Sequence, residues 1–368
     1  MDTKIGAYFF ALRRKVNRSI LTAAKQKETE DAIEARKLYW RRTAVSNARL
    51  IDGPELSAEQ RSQVLAFYKP YIPINTCFHS FYYKSTGLFD KRYIPDDIYY
   101  AYIDTYFNAW DEAPVLDNKT YYGDLFHDIK QPETVALRCG GIWFAADKKP
   151  IKQNEALDLI CASGETFLKR AVESEGGHGV FFMNGNRDDL EKTLRPIEGD
   201  IIVQKALKQH PELNKLNASS VNTVRILSLL TESGVKPYSA IVRMGIGGAR
   251  VDNASSGGIT CGVEWDGHLK PVAYSDNGKR FDIHPTSGVK FDSITIPSFD
   301  RAVELIRKIH VRLPHFKLLS WDIAIDEYGD PVLIEVNLKY GALDFHQLNN
   351  GPLFGEDTIK ILNEVFGK

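Results

Sequence analysis

With 368 residues and a formal charge of −1, the chain is long enough for two or three packed lobes and offers no whole-chain charge that would draw nucleic acid. Cys77, Cys139, Cys161 and Cys261 stand far apart, with neither metal-ligand spacing nor a disulfide framework, so free thiols in a cytoplasmic chain are expected. No apolar run approaches the roughly 20 residues of a membrane span, and the short stretch around Phe9 and Phe10 runs into Arg13-Arg14-Lys15, so no signal peptide is expected.

Residues 1–50 hold twelve Lys/Arg against five Asp/Glu, a local net charge of +7. Within them Ile5, Tyr8, Phe9, Leu12, Val16 and Ile20 recur at helical spacing among Arg13, Arg14, Lys15 and Arg18. Such a basic amphipathic helix suits peripheral contact with an anionic membrane, or packing on the body of the protein or on another subunit. A helix is predicted over 58–69, with Ser57 as N-cap, Glu59-Gln60 in its first turn, and Pro70 and Pro73 closing it. Pro95-Asp96-Asp97 starts a second helix, whose stripe of Tyr99, Tyr100, Tyr102, Tyr106 and Trp110 reads as core. Residues 132–143 are expected to form a short strand. The chain shows no internal repeat or low-complexity stretch.

Glu165–Arg170 reads as a buried strand carrying Lys169 near its end, followed by Gly176, Gly177 and Gly179 and a second strand at Val180–Met183. Glycines let backbone N–H groups turn inward on a polyphosphate, and a fixed lysine neutralises it; an ordinary hairpin loop is the alternative. The loop is not a Walker motif, lacking Gly-Lys-Ser/Thr, nor a Rossmann fingerprint, because it enters a strand. Three more strands follow at Asp200–Leu207, Ser219–Leu230 and Pro237–Met244. Arg225 and Arg243 interrupt the last two, and a buried arginine needs an anion, whether a ligand or a neighbouring acid. The Gly/Ser/Asn-rich stretch 243–259, with Asp252, Asn253, Ser256, Gly257 and Gly258, permits close backbone approach to a ligand; a mobile connection is the alternative.

Trp321–Ile325 and Val332–Asn337 flank the turn Asp326-Glu327-Tyr328-Gly329-Asp330 and read as a β-hairpin. Antiparallel pairing brings Asp322, at the start of one strand, beside Glu335 and Asn337, at the end of the other. Two carboxylates and an amide oxygen suit a hard cation such as Mg²⁺, although acids at solvated strand ends would look the same.

In this order, the lysine strand, glycine loop, Val203-Gln204-Lys205-Ala206-Leu207, arginine strands and Asp322 with Glu335-x-Asn337 resemble the ATP-grasp superfamily. His210-Pro211, Ser220–Ile226, Val251-Asp252-Asn253, Gly257-Gly258-Ile259 and Ser320-Trp321-Asp322 resemble its sugar-transfer-associated branch, from about Lys119 to the C-terminus and more weakly back to about Phe78. The resemblance implies an α+β fold in which two α/β lobes clasp ATP. These lobes would be residues 114–216 and 217–368, preceded by a mostly helical region over 1–113. It implies that Lys119 and Lys169 contact the ATP phosphates and that Gly176, Gly177 and Gly179 close over them. Gln204, with the backbone of Lys205, Ala206 and Leu207, would hold adenine, and Glu212 is a candidate ribose contact. Asp322, Glu335 and Asn337 would hold Mg²⁺. Lys119 sits in Asp117-Asn118-Lys119, one residue longer than the family's Asp-Lys, and Gln204 stands where many relatives have Glu.

The chemistry implied is ligation of a carboxylate to an amine through an acyl phosphate, with small-molecule or glycan-linked substrates of bacterial surface polysaccharide biosynthesis. Arg225 and Arg243 would steady the transferred phosphoryl group, and Asp252, Asn253, Ser256, Gly257 and Gly258 would border the acceptor. A kinase acting on a hydroxyl, using the same ATP residues, and a non-catalytic ATP-binding scaffold are the alternatives. His284 and His346 are candidate bases, although isolated histidines are more often surface residues. Neither the substrates nor the oligomeric state can be read from the sequence.

Overall fold

The computed structural model describes residues 27, 29–172, 179–248 and 257–367. The expected helix through Ile5–Ile20, with its membrane or packing role, lies outside the described residues, as do Gly176, Gly177, Asp252, Asn253 and Ser256.

Two antiparallel sheets organise the chain. The first contains β1 (Thr134–Cys139), β2 (Ile142–Ala145), β3 (Pro150–Ile151), β4 (Thr166–Arg170), β5 (Val180–Met183) and β6 (Ile201–Lys205), in the order β3-β2-β1-β6-β4-β5. Residues 132–143 therefore supply a hairpin rather than a single strand. Gly140 and Gly141 both take positive φ, 55° and 82°, the pair of left-handed residues that a tight two-residue β-turn requires. Helix Gln153–Ala162 buries Ala156, Leu157 and Ile160 with Ala136, Leu168 and Val203, and helix Arg187–Leu194 adds Leu190 and Leu194. Strand alternation then turns Lys169 and Gln204 to the opposite face.

The second sheet contains β7 (Val224–Thr231), β8 (Gly234–Met244), β9 (Ile259–Val263), β10 (Leu269–Ser275), β11 (Arg280–Phe281), β12 (Leu318–Ile325) and β13 (Pro331–Asn337), in the order β11-β10-β9-β8-β7-β12-β13. One face is mostly apolar, with Ser228 held between the Trp321 indole and His310. Ile226, Ala240, Val242, Cys261, Trp321 and Ile323 pack against helix Phe299–Ile309, which buries Phe299, Ala302, Val303, Ile306 and Ile309 at helical spacing. The opposite face divides along the strands. Leu227, Leu229 and Leu318 enter a second core with Tyr68, Ile98, Tyr99 and Tyr100 from the N-terminal region and Ile361 and Leu362 from the last helix. Beyond Leu227 the same face turns polar, starting with Arg225, and this polar end is where the candidate site forms.

Ser57 caps helix Ala58–Tyr68 as expected, accepting from Gln60 N–H at 3.1 Å while Gln60 Oε1 accepts from Ser57 N–H at 2.9 Å. The aromatic stripe does not hold as one core face. Tyr99 and Tyr100 are buried, but Tyr106 is 52% exposed, because a π-helical turn over Tyr99–Ile103 changes the angular spacing. No helix among the described residues is long and apolar enough to cross a membrane.

Asp104, next to that turn, is buried and accepts from Asn108 Nδ2 at 2.6 Å and Tyr340 N–H at 3.0 Å. Burial outweighs these bonds and pushes its carboxyl up to about 6. A carboxyl raised above its unfolded value favours folding below pH ~4, and that contribution fades as pH climbs through about 6. The span corresponds to about 3 kcal/mol. Asp104→Asn should therefore flatten the decline in urea-unfolding free energy between pH ~4 and ~7; an unchanged slope would contradict a protonation-sensitive Asp104.

Candidate active site

Strand register builds the polar end of the second sheet. β12 and β13 pair Asp322 with Glu335 and Ser320 with Asn337, so Asp322, Glu335 and Asn337 project from one face. Asp322 lies inside β12, which begins at Leu318, and a register shift follows it. Asp322 also pairs with Arg225 of β7, and Arg225 with Ile241 of β8, which puts Arg243 on the same face.

The two arginines close on Asp322. Arg225 donates Nε to Oδ1 and Nη2 to Oδ2, both at 2.7 Å, and Arg243 donates Nη1 to Oδ2 at 2.8 Å. Asp322 is 2% exposed, and burial alone would raise its carboxyl. The Arg225 and Arg243 charges outweigh burial and hold it at about 2. The arginines were expected to face a transferred phosphoryl group; in this conformation the anion they face is Asp322. Cross-strand register satisfies the guanidiniums within the protein, the alternative that a buried arginine always leaves open.

Glu335 is engaged in the same way. Lys119 donates Nζ to Glu335 Oε1 at 2.8 Å, while its backbone N–H donates to the Ala171 carbonyl, just past β4, at 2.9 Å. Lys119 therefore ties the end of the first sheet to the hairpin of the second. Asn337 donates Nδ2 to the Ser320 carbonyl at 3.3 Å.

On the first sheet Lys169 donates to Gln204 Oε1 at 3.0 Å, and Gln204 Nε2 donates to the Pro132 carbonyl at 3.3 Å. At the end of β6, Lys205 N–H donates to the Glu133 carbonyl, and just past it Ala206 N–H donates to the Glu165 carbonyl, whereas Leu207 N–H meets no backbone acceptor among the described residues. Gly179, with φ of 78°, ends the glycine loop; a Cβ there would fall 2.7 Å from Arg170 Cδ. Glu212 lies in the first turn of the short helix Pro211–Asn214 and pairs with Lys215 at 2.5 Å; no described hydrogen bond or ion pair joins it to Lys169 or Gln204. Gly257 takes φ of 87° and, with Gly258, leads into β9.

Mg²⁺ seeks several oxygen donors around one point. Glu335 and Asn337 fit that demand, with Glu335 partly exposed and its charge balanced by Lys119 alone among the described salt bridges. Asp322 does not fit as it stands, since both of its oxygens are held by guanidinium groups. Among the described residues no group of three or more His, Cys, Asp and Glu has the proximity a metal needs.

Neither histidine lies on the surface. His284 accepts at Nδ1 from Thr286 and Ser287 N–H and faces the Gly245 carbonyl through Nε2 at 3.2 Å, which makes it a turn fastener. His346 is buried over Ser239; burial, with Arg225 nearby, pushes its imidazole down to about 3, too weakly basic for general-base work near neutrality. Sequence reasoning did not single out the polar helix Leu343–Asn350, which presents His346, Asn349 and Asn350 to the sheet. Its only signal is polar residues in mid-helix soon after Asn337.

Lys119, bonded through its backbone to the end of the first sheet, thus reaches Glu335 on the polar end of the second, within the two-lobed α+β arrangement that the resemblance implies. The chain belongs to the sugar-transfer associated ATP-grasp family, whose pattern matches residues 100–361. No curated protein matches it significantly. Among solved structures it is similar to carboxyaminoimidazole ribonucleotide synthase from Aspergillus clavatus complexed with ATP, at 15% identity over 62% of this chain and 46% of that one, with a TM-score of 0.38. D-alanine–D-alanine ligase from Bacillus anthracis gives 13% identity over 68% and 66%, with a TM-score of 0.38. L-amino acid ligase from Bacillus licheniformis gives 13% over 66% and 48%, with a TM-score of 0.37. The chain spans about half the length of the first of these.

Proposed function

We propose that the protein is an ATP- and Mg²⁺-dependent carboxylate–amine ligase acting on a sugar or amino acid in surface polysaccharide biosynthesis. The observation that carries this reading is the convergence of Lys119, Arg225 and Arg243 on Asp322 and Glu335 at the polar end of a sheet, in an ATP-grasp chain. Lys169 and Lys119 bind the nucleotide phosphates, and adenine lies along Gln204–Leu207, with Leu207 N–H as a donor. Glu335 and Asn337 would hold Mg²⁺, joined by Asp322 once its arginines turn to phosphate. When bound, the ion neutralises phosphate charge.

An oxygen of the acceptor carboxylate attacks the γ-phosphorus, the bond to the β-phosphate oxygen breaks, and ADP leaves. The amine then attacks the acyl carbon, phosphate departs with the bonding pair, and the amine loses a proton to solvent or phosphate. Lys119, Arg225 and Arg243 act chiefly by position and charge, and no protein nucleophile is needed. The acceptor enters beside Gly257 and Gly258, with Asp252, Asn253 and Ser256 at its border.

The test is an ATP-consumption screen of carboxylates paired with amines, with products identified by mass spectrometry. An amide product supports ligation, a phosphorylated hydroxyl points to a kinase, and binding without turnover over a broad panel points to a scaffold. Lys169→Ala should weaken ATP binding by about 10-fold or more, as expected for loss of a charge-assisted contact, while the chain stays folded. Unchanged affinity in a folded variant would remove Lys169 from the nucleotide site.

A further inference from the structure

Helix Leu343–Asn350 crosses the polar face of the second sheet, where His346 Nδ1 and Asn350 Nδ2 each lie 2.8 Å from Ser239 Oγ. The Ala240 carbonyl, which can only accept, lies 2.9 Å from the same Asn350 Nδ2 and fixes which way that amide points. The amide occupies space left by a glycine, for a Cβ on Gly262 would come 2.6 Å from Asn350 Oδ1. Asn350 therefore donates to Ser239 Oγ. The serine's own proton goes to its other contact, His346 Nδ1, and an accepting Nδ1 leaves the ring proton on Nε2. The opposite tautomer would strand two groups, the Ser239 proton and Nε2, instead of one, and each orphan costs about 1–3 kcal/mol.

Nε2–H is the group left over. It is buried, has no partner among the described residues, and its ring lies within the electrostatic reach of Arg225 and Asp322. Ser239, beneath the ring, pairs with Leu227, two residues from Arg225 on the same face. An unpaired N–H on the face that carries Arg225 matches an incoming oxygen that carries negative charge.

We propose that His346 is a further binding residue of this site, an uncharged Nε2–H donor, set by Asn350 and Ser239, that joins Arg225 and Arg243 in receiving an oxyanion. The oxyanion is either the terminal phosphoryl of the nucleotide or the carboxylate of the acceptor. The choice of ligands rests on the ligase reading; the tautomer does not.

Nitrogen-15 NMR of the histidine side chains in the full chain, with His346→Gln identifying the signal, tests both parts. The expected result is a neutral Nε2–H ring from pH ~5 to ~8, whose Nε2–H signal moves when a ligand accepts from it. Movement with Mg-AMPPNP but not Mg-ADP assigns the terminal phosphoryl; movement only after acetate is added to Mg-AMPPNP assigns the carboxylate. His346→Leu should weaken the responding ligand about 10–100-fold, and His346→Gln, which keeps an N–H donor, should recover part of that. An Nδ1–H tautomer, or an Nε2–H signal unmoved by every probe, overturns the proposal. If calorimetry shows that neither nucleotide binds, the ligase reading fails instead, and inorganic phosphate and acetate then decide whether Nε2–H receives an oxyanion.

Discussion

Asp322→Ala should destabilise the folded chain by about 3–5 kcal/mol, measured by urea unfolding, because it removes the buried carboxylate that accepts three bonds from two buried guanidinium groups. Arg225 and Arg243 are each 9% exposed, so water can solvate them only in part. Asp322→Asn keeps the shape but offers one acceptor oxygen where two oxygens accept three bonds. It should fall between the wild type and alanine. The sign with pH follows from the carboxyl's depressed value: its contribution is complete above pH ~4 and is lost as pH falls toward about 2. An Asp322→Ala chain as stable as the wild type at pH 7 would show that the guanidiniums find other anions, and the triad would not be holding this end of the sheet.

Glu335→Gln should instead act on turnover. The side chain is partly exposed and its ion pair with Lys119 is reachable by solvent, so the loss of stability should stay within about 1 kcal/mol. An oxygen donor that carries charge is nonetheless removed from the place where phosphate charge must be balanced. ATP consumption with the identified substrates should fall by about 100-fold or more, on the scale of other losses of electrostatic stabilisation at a reacting centre. Turnover within a few-fold of wild type would exclude Glu335 from the reacting centre. Lys119 and Glu335 neutralise each other in this conformation, so on the proposed ligase reading Mg²⁺-ATP would have to exchange that contact for its own.

The sequence made the hairpin of Asp322 and Glu335 and the arginine strands legible for definite reasons. Trp321 to Asn337 alternates in a strand period around an Asp/Gly turn, and a charge inside an apolar strand announces a need for a partner. It could not say which partner. Arg225 and Asp322 are 97 residues apart, Lys119 and Glu335 216, and only the register of the folded sheet brings them together. β9 to β11 escaped notice because glycine, threonine and cysteine dilute the apolar pattern of Ile259–Val263, and β11 is two residues long. The aromatic stripe misled because a single π-turn at Tyr99–Ile103 breaks helical periodicity. His346 looked like a surface histidine because nothing local reveals that its helix crosses the face of a sheet.

The central claim is that ATP activates a carboxylate here, and oxygen tracing tests it most directly. The carboxylate found in the ATP-consumption screen would be labelled with oxygen-18 and incubated with ATP, Mg²⁺ and the amine, and the released phosphate weighed by mass spectrometry. Ligation through an acyl phosphate predicts one labelled oxygen in each phosphate released, because the carboxylate oxygen that attacks the γ-phosphorus leaves with it. Unlabelled phosphate alongside amide product, or ADP formed with the phosphoryl group retained on a hydroxyl, would contradict it.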